Sequence, residues 1–276
     1  MKRSTRALIA KDTLAILKKG VYQNSLNKLV HLAKKQKAAE QQTLLYEPQQ
    51  LLDLIQAPLS EAPNKVTEFI VNPLSTLDSV REQYPTDPNL VCLNFASAKN
   101  PGGGFLNGSQ AQEESIARAT GLYLCQLKAE DYYKENRKFT SCIYTDHIIY
   151  SPNVPIIKDE KGNLLDEPAF SAMITAPAVN AGAVQRNEPQ KVKEINLFMQ
   201  RRMDMVLAIC KQKKHKTLVL GAWGCGVFQN DPALIAALFK ELLFGKYKNQ
   251  FKRVVFSIYA KEPRFIQPFY AEFGGK

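Results

Sequence analysis

The sequence predicts a layered α/β domain preceded by an N-terminal helical extension. Two observations predict it. Short apolar runs of strand length alternate with helix-period segments over most of the chain. The composition, 45% hydrophobic and 23% charged over 276 residues, is that of a chain able to bury a sizeable core. No internal repeat or low-complexity linker divides it, so residues 1–62 read as a helical extension packed on a single unit, residues 63–276.

Residues 4–42 read as helical. Leu8, Ile9, Leu14, Ile16 and Leu17, then Leu26, Leu29, Val30 and Leu32, recur at three- and four-residue steps, with Gly20 as punctuation. Pro48, Pro58 and Pro63 break the next stretch. A strand over 66–71 and a short helix over 74–84 follow. Residues 90–96 form an apolar strand short enough to be central. A long helical pattern covers 109–136, a strand 143–150, and a hairpin tip 159–163. A further strand lies within 170–179. Residues 189–215 are helical and end in a basic tail. Residues 217–220 are a short buried strand. Asp231 and Pro232 suit the cap and first position of a helix running to Gly245, and 253–259 is the last strand.

Several classes are excluded or disfavoured. No apolar run approaches the ~18 residues of a membrane span, and charges interrupt the apolar start of the chain, unlike a signal peptide. The expectation is a cytoplasmic protein without a membrane partner, non-classical secretion remaining open. The five cysteines are odd in number and scattered, without a CxxC pair, and read as free thiols. The three histidines form no i, i+4 pair, so no metal and no cofactor is expected. The net charge of +11 suggests an acidic partner without choosing nucleic acid, phosphate-rich polymer or membrane surface. No nucleic-acid-binding module is recognisable, so direct sequence-specific nucleic-acid binding is not expected. The run Lys211-Gln-Lys-Lys-His-Lys216 reads as a solvated helix end in preference to a polymer site.

The segment from Asn94 to Glu114 leaves a buried strand, crosses Gly102-Gly-Gly104 and opens a helix. Three consecutive glycines let backbone approach a ligand and point N–H groups at an anion. The following helix adds its positive dipole end. Ser109 and Gln112 fit a capping box, placing Glu113 and Glu114 in or just after the first turn. The loop is neither a Walker A motif nor a GxGxxG fingerprint. A second loop, Gly221-Ala-Trp-Gly-Cys-Gly-Val-Phe228, also follows a buried strand and precedes a helix. Two such loops at the carboxyl ends of strands converge on a crevice. A ligand with a diphosphate and flat or sugar ends fits that arrangement.

The run Pro101-Gly-Gly-Gly-x7-Gln112-Glu-Glu114 resembles the signature of poly(ADP-ribose) glycohydrolases. The segments 94–105, 149–155, 164–168, 174–177 and 220–232 resemble the microbial-type branch of that family, as do Arg6, Thr13 and Leu17 ahead of Gly20 and Tyr22. The resemblance implies a macrodomain: a three-layer α/β/α sandwich with a mixed central sheet and an ADP-ribose cleft at one sheet end. It implies poly(ADP-ribose), or an ADP-ribosylated macromolecule, as partner and ADP-ribose as product. It implies Glu114 as the catalytic acid and Glu113 as the ligand of the ribose beside the scissile bond. Gly102, Gly103 and Gly104 would lie along the diphosphate, with Gly224, Cys225, Gly226 and Val227 as the opposite phosphate loop. Phe228 would pack on the adenosine side, and Asn94 and Asn100 would shape the ribose pocket. Glycosidases with two opposed carboxylates hold them ~5 to 9 Å apart across the bond. Neighbours on a helix point about 100° apart, so one glutamate acting as acid and then as base fits better than an opposed pair. Hydrolysis of a mono-ADP-ribosyl linkage to a side chain or nucleobase, and non-catalytic ADP-ribose binding, stay open as alternatives.

Overall fold

The computed structural model describes residues 1–63 and 66–274. Residues 64 and 65, beside the expected boundary, and 275–276, at the end of the expected second unit, lie outside the described residues. The N-terminal stretch departs from a continuous helical arm. Helix α1 (Arg3–Lys19) ends at Gly20, whose φ of 75° and N–H bond to the Ile16 carbonyl turn the chain back. A hairpin of β1 (Val21–Gln23) and β2 (Leu29–His31) follows. Leu26 and Leu29 are exposed on it, so their helix-like spacing carries no helical face. Next come α2 (Ala33–Gln41), β3 (Leu44–Tyr46) and α3 (Pro48–Gln56). Pro48 does not break structure here. It is the first residue of α3, where a missing N–H costs nothing.

Strand β4 (Glu68–Asn72), α4 (Thr76–Gln83) and β5 (Val91–Phe95) occur close to their predicted places. The long helix expected over 109–136 is three helices: α5 (Gln112–Ala119), α6 (Leu122–Gln126) and α7 (Glu130–Lys138). The break has a cause. Thr120 bridges to Ile156, and the Gly121 N–H donates to the Pro155 carbonyl at 2.9 Å, so the chain bends onto the sheet. Strands β6 (Ile148–Lys158) and β7 (Leu164–Ala176) form a long hairpin with its tip at the predicted turn, where Gly162 has φ 89°. The chain continues through α8 (Ala181–Asn187), α9 (Ile195–Gln212), β8 (Thr217–Leu220), α10 (Pro232–Phe244), β9 (Arg253–Ser257) and α11 (Gln267–Phe273). Asp231 caps α10 as predicted, accepting from the Ala233 N–H.

The seven-stranded sheet has the order β3-β6-β7-β5-β8-β9-β4. The block from β7 to β4 is parallel, while β6 pairs antiparallel with β7 and β3. Alternate residues of the central strands serve opposite faces. Val91, Leu93, Leu218, Leu220, Val254 and Phe256 pack under α3, α8, α9, α10 and α11. Cys92, Val219 and Val255 pack under α2, α4, α5 and α6. This burial on both sides produces the three layers and explains the unbroken apolar runs. β3, from the first 62 residues, is an edge strand of the same sheet. No helix among the described residues is long and apolar enough to cross a membrane.

Candidate active site

The parallel strands β5, β8 and β9 end side by side, and the loops leaving them wall a cleft of about 750 Å³. This is where open α/β sheets place ligands. The residue before α5 is Ala111, not Ser109, so the predicted capping box does not form. Gln112 is instead a staple between helix and strand. Its Oε1 accepts the Phe95 N–H at 2.9 Å, and its Nε2 donates to the Leu93 carbonyl at 2.8 Å and Thr76 Oγ1 at 3.1 Å. Gln112 also lines the cleft.

That staple sets Glu113 and Glu114 at the cleft wall. Glu113 is 3% exposed. Its Oε1 accepts from Asn94 Nδ2 at 3.1 Å and Gln126 Nε2 at 3.0 Å, and its Oε2 from the Ser97 N–H at 2.6 Å. Burial pushes its carboxyl up to about 7, against the pull of these hydrogen bonds, with the neighbouring Glu114 charge adding to the rise. Glu114 is half-buried, and its Oε1 accepts the Gly104 N–H at 3.0 Å.

Two of the three glycines, Gly103 and Gly104, lie against the carboxylates. Gly104 gives its N–H to Glu114, and Gly102 packs against Phe105 and Ala117. Gly103 has φ 59°, and a Cβ there would lie 2.4 Å from Glu114 Oε1 and 3.2 Å from Glu113 Oε2. Both carboxylates therefore face one small volume that only glycine leaves free. Asn94 stands next to Glu113. It is wholly buried behind Glu113, also bonds Thr175 Oγ1 at 3.2 Å, and does not line the cleft. Asn100 is exposed at the cleft wall, its carbonyl accepting the Gly103 N–H at 3.0 Å.

Across the cleft, Gly224, Cys225, Gly226, Val227 and Phe228 of the second loop line the wall. Buried Trp223 anchors the loop. Gly224 takes φ 75°, and a Cβ on it would meet Ala178 Cβ at 2.5 Å. Its carbonyl accepts from Asn230 Nδ2 at 3.1 Å. Among the described residues, the N–H groups of Gly226, Val227 and Phe228 have no acceptor. Successive backbone N–H groups without an acceptor are donors that an anion can take. Burial raises the Cys225 thiol to about 12, so the residue contributes backbone and packing, not thiolate chemistry.

Some cleft residues carried no signal in the sequence. Tyr144 adopts φ 64° and packs its ring 5.9 Å from that of Phe228. Arg202, wholly buried on α9, holds that loop: it donates to the carbonyls of Ile143, Tyr144 and Pro177 and pairs with Asp146 at 2.9 Å. Glu160 reaches the cleft from the β6–β7 tip, its carboxyl raised by burial. An Arg inside the apolar stripe of α9 was the only available hint. The basic run 211–216 precedes β8, whose opposite end feeds the cleft, so it lies at the far pole of the sheet. Helix α1 backs the glycine loop: Arg3 donates to the Asn107 carbonyl at 2.9 Å, Arg6 to the Gly108 carbonyl at 2.7 Å, and Thr13 to the Arg118 carbonyl.

Residues 10–159 match the family described as microbial-type PARG, catalytic domain, PARG being poly(ADP-ribose) glycohydrolase. The crystal structure of poly(ADP-ribose) glycohydrolase from Thermomonospora curvata superimposes with a TM-score of 0.92 at 38% identity, covering 98% of both chains. Its form bound to the inhibitor ADP-HPD gives 0.89 at 38%, again over 98% of each. The enzyme from Deinococcus radiodurans in complex with ADP-ribose gives 0.83 at 42%, over 88% of this chain and 98% of that one. No curated protein matches.

Proposed function

The chain belongs to the microbial-type poly(ADP-ribose) glycohydrolases and hydrolyses poly(ADP-ribose), and from that premise we propose how its residues divide the work. The observation that carries the reading is the convergence of Glu113 and Glu114 on the space left by Gly103. ADP-ribose lies across the cleft. Its diphosphate takes the free N–H groups of Gly226, Val227 and Phe228, and its adenosine side leans on Phe228. Asn100 borders the ribose pocket. Glu113 accepts a hydroxyl of the ribose beside the scissile bond.

Glu114, more open and tied to the loop by the Gly104 N–H, gives its proton to the leaving ribose oxygen as the glycosidic C–O bond breaks. The sugar carbon passes through an oxocarbenium-like state. The Glu114 carboxylate then takes a proton from water as that water's oxygen bonds the same carbon, so the acid is restored. The Glu113 charge and the substrate diphosphate lie close enough to favour the cationic sugar. Residues 1–62 and 63–276 work as one catalytic body in this reading, supported by β3 in the shared sheet and by α1 behind the glycine loop.

The test is release of free ADP-ribose from purified automodified polymer by the wild type and by Glu114→Gln. We expect the variant to be slower by at least ~10²-fold, the low end for a general acid. Full activity in the variant would remove Glu114 from the role.

A further inference from the structure

Behind Glu113 lies a cluster of buried polar side chains that the reaction just described does not use. Gln126, at the end of α6, is wholly buried. Its one side-chain hydrogen bond to a described residue is Nε2 to Glu113 Oε1, at 3.0 Å. Asn94 donates to the same oxygen at 3.1 Å. The amide oxygens of Asn94 and Gln126 have no partner among the described residues, nor do the buried hydroxyls of Tyr132 and Tyr133 on α7. Burying an amide in this way is costly unless it serves a specific bond, and for Gln126 that bond is to Glu113.

We propose that Gln126 is a positioning residue for substrate binding: with Asn94 it holds Glu113 as an ionised acceptor turned toward the substrate ribose. The inference rests on the role assigned to Glu113 above. A carboxylate offers about four lone-pair sites and no donor. Two amide NH₂ groups fill Oε1 and the Ser97 N–H takes one site on Oε2, which leaves Oε2 room for one more donor, a sugar hydroxyl. A protonated carboxyl would turn its O–H against one of these donors or force an amide to reverse. The titratable groups facing Glu113 are Glu114 on its own helix and Tyr132 and Tyr133 on α7, whose phenols burial holds well above their usual range. Asn94, Ser97 and Gln126 contribute dipoles alone.

The experiment measures ADP-ribose affinity by calorimetry, and KM and kcat on polymer, from about pH 5 to about pH 9 for wild type and Gln126→Leu. Wild-type affinity should fall below a midpoint near 7, where Glu113 gains its proton. In Gln126→Leu the midpoint should move up by about one unit or more, because a donor to the charged form is gone. Binding then weakens about fivefold or more at about pH 7, KM rises more than kcat falls, and wild-type affinity returns at the alkaline end. A loss of the same size at every pH, or an unmoved midpoint, overturns the proposal. If Gln126→Leu does not fold, Asn94→Ser removes the other amide donor and is held to the same two outcomes. A wild type that leaves polymer intact refutes the reaction itself. A wild type that cleaves polymer while the variant keeps its pH profile refutes this proposal alone.

Discussion

Replacing the buried Glu113 carboxyl by its amide should make the protein more stable. The carboxyl moves from the ordinary 4.5 to about 7, with burial the largest cause. The unfolded chain releases this proton near 4.5, whereas the folded chain keeps it until about 7. Stability therefore falls as pH rises through that window, and the full penalty stands above it. At about 1.4 kcal/mol per pH unit, the penalty is about 3 kcal/mol. In Glu113→Gln the new carbonyl can accept the Ser97 N–H. The new NH₂ can meet the amide oxygens of Asn94 and Gln126, which lack partners and need only turn over. For 276 residues, an unfolding entropy of about 2.1 cal/mol/K per residue converts 3 kcal/mol into a Tm shift of about 5 °C. Differential scanning calorimetry of both proteins from about pH 4 to about pH 8 is the assay, because the difference between them cancels every titration they share. The difference should be near zero in acid and grow to about 5 °C, variant above wild type, past pH 7. A flat difference, or a more stable wild type at pH 8, would refute the reasoning, since the fold would then favour the charge.

Two further outcomes follow from the same geometry. Gly103→Ala must place a methyl at φ 59° and 2.4 Å from Glu114 Oε1; polymer turnover should fall at least ~10-fold and stability by about 1–2 kcal/mol in urea unfolding. Unchanged turnover would mean that Glu114 does not work from its observed position. Arg202→Leu strips the carbonyls of Ile143, Tyr144 and Pro177 of their donor and leaves Asp146 to Arg201 alone, so urea unfolding should show a loss of about 3 kcal/mol. A loss below about 1 kcal/mol would show that Tyr144 is held by other means.

The parts legible in the sequence are those where one short segment carries its whole cause. β8 is an apolar run buried on both faces, and α10 announces itself through Asp231 and Pro232. The glutamate pair was legible because a strand, a glycine loop and a helix start lie in unbroken succession. The hairpin of β1 and β2 was not. Its turn is made by the Asn24 side chain accepting the N–H groups of Leu26 and Lys28 and by Asn27 at φ 58°, a local arrangement masked by apolar residues at helical steps. The glycines show a different limit. Their freedom is visible in sequence, but the carboxylates that crowd Gly103 are not, because that contact depends on how the loop folds back on the helix. Tyr144 and Glu160 join the cleft, and Arg202 holds Tyr144 from behind, from elements far apart in the chain, and no local pattern marks such meetings.

Helix α1 also says something about time. Its bonds to Asn107, Gly108 and Arg118 span 102 to 105 residues of chain. As the chain is made, this helix is complete well before its partners, which follow about a hundred residues later. Closing so long a loop is entropically unfavourable until the intervening sheet has drawn the ends together. The strut behind the glycine loop thus arrives after the scaffold, and with it the support for the Gly104 N–H that holds Glu114. A nascent chain still short of residue 118 has the helix without the full set of partners it serves.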